Sequence, residues 1–230
     1  MLLLSIDTSG RKGGITLARG ESASIEIIAS TNLIGGTFSA DLIPQIAEVL
    51  QTHDHRASEL EAIVAVTGPG SFTGLRVGLS AAKALAEALH LKIAAVSSLE
   101  ALAFIAMSRR KNLSRKVMSL IDAGRGEVYA GIYQQEESSM RKISELLLPS
   151  REAIERAQAE DLQMATIDPE LASASPEMNL ATGKLCEAAA RVGWRKLLAG
   201  EVTDVLALDA NYIRKSEAEY AKAGQSSKTK

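Results

Sequence analysis

The chain is 230 residues long, 46% apolar and 23% charged, with a formal net charge of −2. That length buries a core of roughly 70–75% of the unfolded surface, so an ordinary globular protein of one large or two small domains is expected. A chain that grips nucleic acid by itself carries a basic face, and single-strand binders add stacking aromatics, so this charge and an aromatic content of 3% disfavour direct nucleic-acid binding by the chain alone.

Three strands open the chain, Leu2–Ile6, Ile15–Ala18 and Ile25–Ala29, punctuated by Gly13-Gly14 and Gly20. An amphipathic helix over about 40–51 follows, with Leu42, Ile43, Ile46, Val49 and Leu50 at helical spacing; Pro44 must lie near its first turn or kink it. Ile63–Val66 reads as a buried strand, then a Gly-rich loop, Thr67–Thr73, opens a helix to about Leu89. Ile93–Val96 is another buried strand, and Ser97 with Glu100 forms a capping box for a helix to about Met107. The basic, polar stretch from Ser108 to Lys116 reads as a linker. Strands Val117–Ile121, Glu127–Tyr133 and Ile143–Leu148 follow, then a helix from about Ser150, a strand near Met164–Ile167 and an Ala-rich helix over about 180–192. Residues from 215 to 230 are polar and read as a disordered tail. Ile6-Asp7-Thr8-Ser9-Gly10-Arg11 is echoed by Ile121-Asp122-Ala123-Gly124-Arg125, each after an apolar strand and before a Gly-started one. Two similar ribonuclease H-like lobes, 1–108 and 109–214, are therefore expected.

No catalytic constellation is found. His53, His55 and His90 have no metal-ligand spacing, and Zn or Fe sites need several converging ligands. Cys186 lies in an Ala-rich helix and reads as core; as the only cysteine it excludes an intramolecular disulfide and suits a reducing cytoplasm, the expected location. Gly70-Ser71-Phe72-Thr73-Gly74 is not a nucleophile elbow. The loop Gly68, Pro69, Gly70, Ser71, Phe72, Thr73, Gly74 precedes a helix as phosphate loops do, but lacks the Gly-Lys-Ser/Thr of a Walker site. Arg76, a cation in the first turn of a helix, opposes the macrodipole and calls for an acidic partner. No run of about 18 uncharged apolar residues occurs, so no membrane span is expected, and the first residues are too few and wrongly flanked for a signal peptide. Gly74, Gly78, Ala82 and Ala86 form a small-residue stripe on one helix side. With Leu75, Leu79 and Leu85, and with Leu42, Ile46, Val49 and Leu50 of the earlier helix, it is expected to form a partner interface.

The stretch Val66-Thr67-Gly68-Pro69-Gly70-Ser71-Phe72-Thr73-Gly74-Leu75-Arg76-Val77-Gly78-Leu79 resembles the signature of the TsaB (YeaZ) family. So do Ala81–Ala86, Val96–Ala103, Ile6–Ser9, Asp122–Tyr129 and the closing Asn211-Tyr212-Ile213-Arg214. Two positions depart from the family pattern: Phe38 stands where a His is frequent, and Gly124 where an Arg is frequent. The resemblance implies a two-lobe actin-like, Hsp70-like ATPase fold, with Asp7, Thr8, Ser9 and Asp122 at relic nucleotide-site positions. It implies a non-catalytic subunit of the complex that adds threonylcarbamoyl to N6 of a tRNA adenosine beside the anticodon. In that reading the chain binds and activates the catalytic subunit TsaD and works with the ATPase TsaE. ATP and metal belong to those partners, tRNA is met mainly through the complex, and the chain alone forms a homodimer or a monomer. The competing reading is a stand-alone actin-fold ATPase or small-molecule kinase, or a metallopeptidase.

Overall fold

The structure, a computed structural model, describes residues 1–108, 116–136 and 139–214. The body of the expected linker and the expected tail lie outside the described residues.

The first sheet contains β1 (Leu2–Asp7), β2 (Lys12–Glu21), β3 (Ser24–Ile34), β4 (Ala62–Val66) and β5 (Lys92–Val96), in the order β3-β2-β1-β4-β5. β1 pairs antiparallel with β2 and parallel with β4. The second contains β6 (Lys116–Gly124), β7 (Glu127–Gln135), β8 (Met140–Pro149), β9 (Gln163–Thr166) and β10 (Met178–Leu180), in the order β10-β9-β6-β7-β8. Its pairings repeat those of the first: β6 is antiparallel to β7 and parallel to β9. Two mixed sheets of identical topology make this an α/β, two-lobe actin-like fold with ribonuclease H-like sheets, and the Asp7/Asp122 echo falls at the ends of the equivalent strands β1 and β6.

Every residue of β1 and β4 is buried, as strands covered on both faces must be. Helices α1 (Phe38–Thr52) and α2 (Phe72–Leu89) cover one face of the first sheet. The other face meets α6 (Leu185–Leu198), through Ala188, Ala189, Val192 and Trp194. Helix α3 (Ser98–Ser108) packs beside α6 and presents Leu99, Ala103 and Ala106 to Val117, Tyr133 and Ala165 of the second sheet. Helix α4 (Ser150–Ala159) covers that sheet's far side, and the short α5 (Pro169–Ser173) lies by β9 and β10. The two halves of the chain thus exchange helices: α3 covers the later sheet and α6 the earlier one. Close approach makes the exchange possible. A Cβ on Gly193 would meet Val64, and one on Gly20 would meet the Trp194 ring, both under 3.0 Å.

Several sequence-derived bounds shift. β2 and β3 are more than twice the expected length because they form a long two-stranded ribbon. Pro44 sits well inside α1, beyond its first turn, on the exposed side. The last helix starts at Leu185 rather than near 180, since Met178–Leu180 is drawn into β10 beside β9. Among the described residues no helix is long and apolar enough to cross a membrane.

Candidate functional site

β1 ends at Asp7, and the chain turns through Thr8 and Ser9 directly beneath the loop that leads into α2. Gly68 and Pro69 are joined by a cis peptide bond. Ser71 N–H donates to Ser9 O at 2.6 Å, Thr8 Oγ1 donates to Gly74 O at 2.7 Å, and Ser98 N–H donates to Gly68 O at 2.7 Å. Ser71 is the N-cap of α2, its Oγ accepting from Gly74 N–H at 3.3 Å. The glycine spacing now has a local cause. A Cβ at Gly70 would land on Ser9 O, one at Gly74 on Thr8 O and one at Gly78 on Thr8 Oγ1, each under 3.0 Å. The side of α2 at 74 and 78 and the loop at 70 must therefore be bare for the loop to close over the strand end.

This corrects the interface expectation. Leu42, Ile46, Val49, Leu50, Leu75, Gly78, Leu79, Ala82 and Ala86 are all buried within the chain's own core, and Leu85 is half-buried against it. The small-residue stripe receives β1 and its turn, not a foreign helix. One sheet covers more of α2 than its composition suggested because glycine lets the strand end come close.

Asp7 is 2% exposed, its Oδ1 accepting from Ser9 N–H at 2.9 Å and Ser9 Oγ at 2.7 Å. Burial raises its carboxyl above the ordinary range, against the lowering effect of both Ser9 bonds. Phe38 is buried with its ring at Gly13 and Gly74, so it fills the space beside the same turn. Asp122 lies exposed and, among the described residues, accepts only from Gly124 N–H at 3.0 Å. Gly124, Arg125 and Gly126 all have positive φ, so glycine at 124 sits where an arginine would be strained. Asp7, Thr8 and Ser9 are therefore sealed together, and Asp122 stands apart at the surface. Cys186 is buried against Ser5 and Gly14. Burial, with the charge of Asp7 adding to it, pushes the thiol up to about 12. Among the described residues Arg76 meets an aromatic partner and no acid: its guanidinium lies 3.9 Å over the Phe72 ring, which is 5.4 Å from the Tyr212 ring. Phe72 and Tyr212 are 48% and 40% exposed, an aromatic–cation cluster on the surface of the signature loop.

Sequence reasoning missed a polar junction between the sheets. Glu145 of β8 accepts from Ser97 Oγ, from Tyr133 OH at 2.5 Å and from Asn211 Nδ2 at 2.7 Å, with its side chain 6% exposed. Burial first, then Glu145, raises the Tyr133 hydroxyl far above its usual range, so it stays a donor. Glu100 pairs with Lys196 Nζ at 2.7 Å, and Asn211 N–H donates to Thr67 O at 2.8 Å. The signals were present, but Ser97 and Glu100 read as a capping box, which the structure forms in part while also using both across the junction. A bulge at Ile143 is what turns Lys142 and Glu145 to the same side of β8, and no local pattern announces it.

The repeated sheets and the closed turn after β1 define an actin-like protein whose first strand end is filled by its own signature loop. Residues 33–171 match the family described as TsaD, tRNA N6-adenosine threonylcarbamoyltransferase. The chain is 35% identical to the tRNA threonylcarbamoyladenosine biosynthesis protein TsaB of Bacillus subtilis over 62% of its length and 59% of the relative's. It is 31% identical to TsaB of Escherichia coli over 61% and 58%. The matched stretch thus spans less than two thirds of these curated relatives. Among solved structures, YeaZ from Pseudomonas aeruginosa superposes with a TM-score of 0.73 and 27% identity, covering 91% of this chain and 98% of that one. A second Pseudomonas aeruginosa structure, described as similar to peptidase YeaZ, gives 0.76 and 25%, over 93% and 99%. The chain belongs to this threonylcarbamoyltransferase family, on its TsaB (YeaZ) branch.

Proposed function

We propose that the chain is a non-catalytic subunit of a tRNA threonylcarbamoyladenosine complex. It binds and activates a TsaD-type catalytic subunit, alongside a TsaE-type ATPase, and meets tRNA through the assembly. The observation that carries this reading is the sealed strand end. Where an actin-like ATPase must admit phosphates, Ser9 O takes the loop amide of Ser71 and Asp7 is spent on Ser9. Among the described residues no three His, Cys, Asp or Glu side chains converge as metal ligands, which supports the same reading. Asp7 and Asp122 then serve local structure. The reading takes 1–108 and 109–214 as lobes that move as one body because they exchange α3 and α6.

The docking surface we assign is the outer side of α1 and α2, where Ala40, Ile43, Pro44 and Ala47 face solvent, as do Ser80, Ala84 and Ala88, with Phe72 and Arg76 at one end. Ile43 is 53% exposed, and a two-helix face of small and apolar residues suits two helices of a similarly folded partner, or of a second copy in its absence. Threonylcarbamoyl transfer to tRNA, assayed with TsaD- and TsaE-type partners, is expected to require this chain, and the chain alone is expected to show no transfer, peptidase or ATPase turnover. Turnover that survives rigorous removal of the partners sinks the reading. Ile43→Glu with Ala84→Glu is expected to leave the circular dichroism unchanged and abolish co-elution with the TsaD-type subunit.

A further inference from the structure

A cavity of about 840 Å³ opens between the free edge of β5, the C-terminal half of α6 and β8. A smaller one of about 290 Å³ adjoins it, and the two share Ser139, Met140 and Arg195. The larger volume lies within the range that holds metabolite-sized ligands. Its apolar wall is Ala95, Met140, Val192 and Leu198.

The polar wall contains three carboxylates and three cations, and their remaining bonding capacity is unequal. Both oxygens of Glu145 are occupied by Ser97, Tyr133 and Asn211. Glu100 Oε2 holds Lys196 and the Ser97 amide. Glu201 is exposed at the rim. The cations have donors to spare. Lys196 uses two of its N–H bonds, on Glu100 and on Ala95 O at 3.0 Å. Lys142 Nζ stands 3.8 Å from Glu145 Oε2, too far for a hydrogen bond. The Arg195 guanidinium lies 4.9 Å over the Phe104 ring and makes no hydrogen bond or ion pair among the described residues. Apart from Glu201 at the rim, what the walls still offer is donor and positive character next to an apolar surface.

We infer that this cavity binds a small amphiphilic organic anion, its carboxylate or phosphate head on Arg195, Lys142 and Lys196 and its apolar body against Met140, Val192 and Leu198. An oxyanion suits the planar guanidinium, and stacking on Phe104 leaves the guanidinium edge free to donate. The site joins the two sheets, so an occupant would contact both lobes at once.

The test is calorimetric titration of the full chain with octanoate and with octyl phosphate, which separate the two head groups, and with octanol and octylammonium as neutral and cationic analogues. One-site binding of at least one anion is expected, and none of the two analogues. Arg195→Met, which keeps an apolar cover on Phe104, and Lys142→Gln should each weaken binding about tenfold, the scale of one charge-assisted hydrogen bond. Ala199 also lines the cavity, and Ala199→Phe should block the apolar part. Arg195 and Lys142 are exposed, and unchanged thermal melting certifies each variant. No heat from either anion up to about 10 mM overturns the inference. So does equal binding of octylammonium, or affinity for the anion that is unchanged in both Arg195→Met and Lys142→Gln.

Discussion

Gly78→Ala separates two accounts of the glycine stripe on α2 by the sign of its effect. On an outward-facing helix side, replacing glycine by alanine stabilises by about 1 kcal/mol, because glycine costs more backbone entropy. In the structure the new methyl lands on Thr8 Oγ1, with Thr8 Cβ and Cγ2 both at 3.3 Å. Thr8 is 1% exposed and its hydroxyl is held by Gly74 O at 2.7 Å, so it cannot swing into solvent. Overpacking of this kind costs about 1–3 kcal/mol, and breaking the Thr8 hydrogen bond adds about 1 kcal/mol, against the helix gain of about 1 kcal/mol. A net loss of about 1–3 kcal/mol is expected. Thr8→Ala removes the obstructing hydroxyl and methyl, leaving only Cβ at 3.3 Å, a tight contact relieved by a small shift. In that background Gly78→Ala should be neutral or stabilising, giving a coupling of roughly 1–3 kcal/mol in a double-mutant cycle. Urea unfolding followed by circular dichroism and by the single tryptophan, Trp194, reads all four proteins. A stabilising Gly78→Ala in the parent chain, or strict additivity with Thr8→Ala, would refute the sealed-turn account.

Three further outcomes follow from the same geometry. Asp7 has a folded-state value raised above its ordinary 3.8, so the unfolded chain loses that proton first and the residue's contribution to stability declines as pH rises from 3.8 through the folded value. The stability difference between Asp7→Asn and the parent should therefore shift in favour of Asn between about pH 3 and about pH 7 in denaturant titrations, and a pH-independent difference contradicts a buried carboxylate. Cys186, with its thiol pushed up to about 12, should resist iodoacetamide at about pH 8 until the chain unfolds, and fast native-state alkylation counts against its burial. A fragment ending at Ser108 lacks α6 and uncovers Leu3, Ala18, Val64, Ala94 and Val96. It should give no cooperative thermal transition alone, and a sharp transition would show that the first sheet is stable without α6.

Much of this protein was legible in the chain itself. Runs such as Leu2–Ile6 and Ile63–Val66 are apolar on both strand faces, which demands covered parallel strands, and the Asp7 and Asp122 segments betray the repeated sheet. The residues of the signature loop, 68 to 74, could be picked out from glycine density and from their place between a buried strand and a helix. What they face could not. A glycine at 74 or 78 states only that something comes close, and an adjacent helix and a distant strand end ask for the same small side chain. Burial of Leu42, Ile46 and Leu79 likewise records an apolar environment without saying whether it is the chain's own core or a partner. The tertiary structure decided that, because contact between Thr8 and Gly78, seventy residues apart, depends on how β1, β4 and α2 are layered. The same holds for Glu145, Ser97 and Asn211, which meet only once α3 and α6 cross between the sheets and a bulge at Ile143 resets the side of β8 that looks inward. Local patterns encode the period of an element and its ends; which surfaces meet is set by packing across long sequence separations, and only the folded chain contains it.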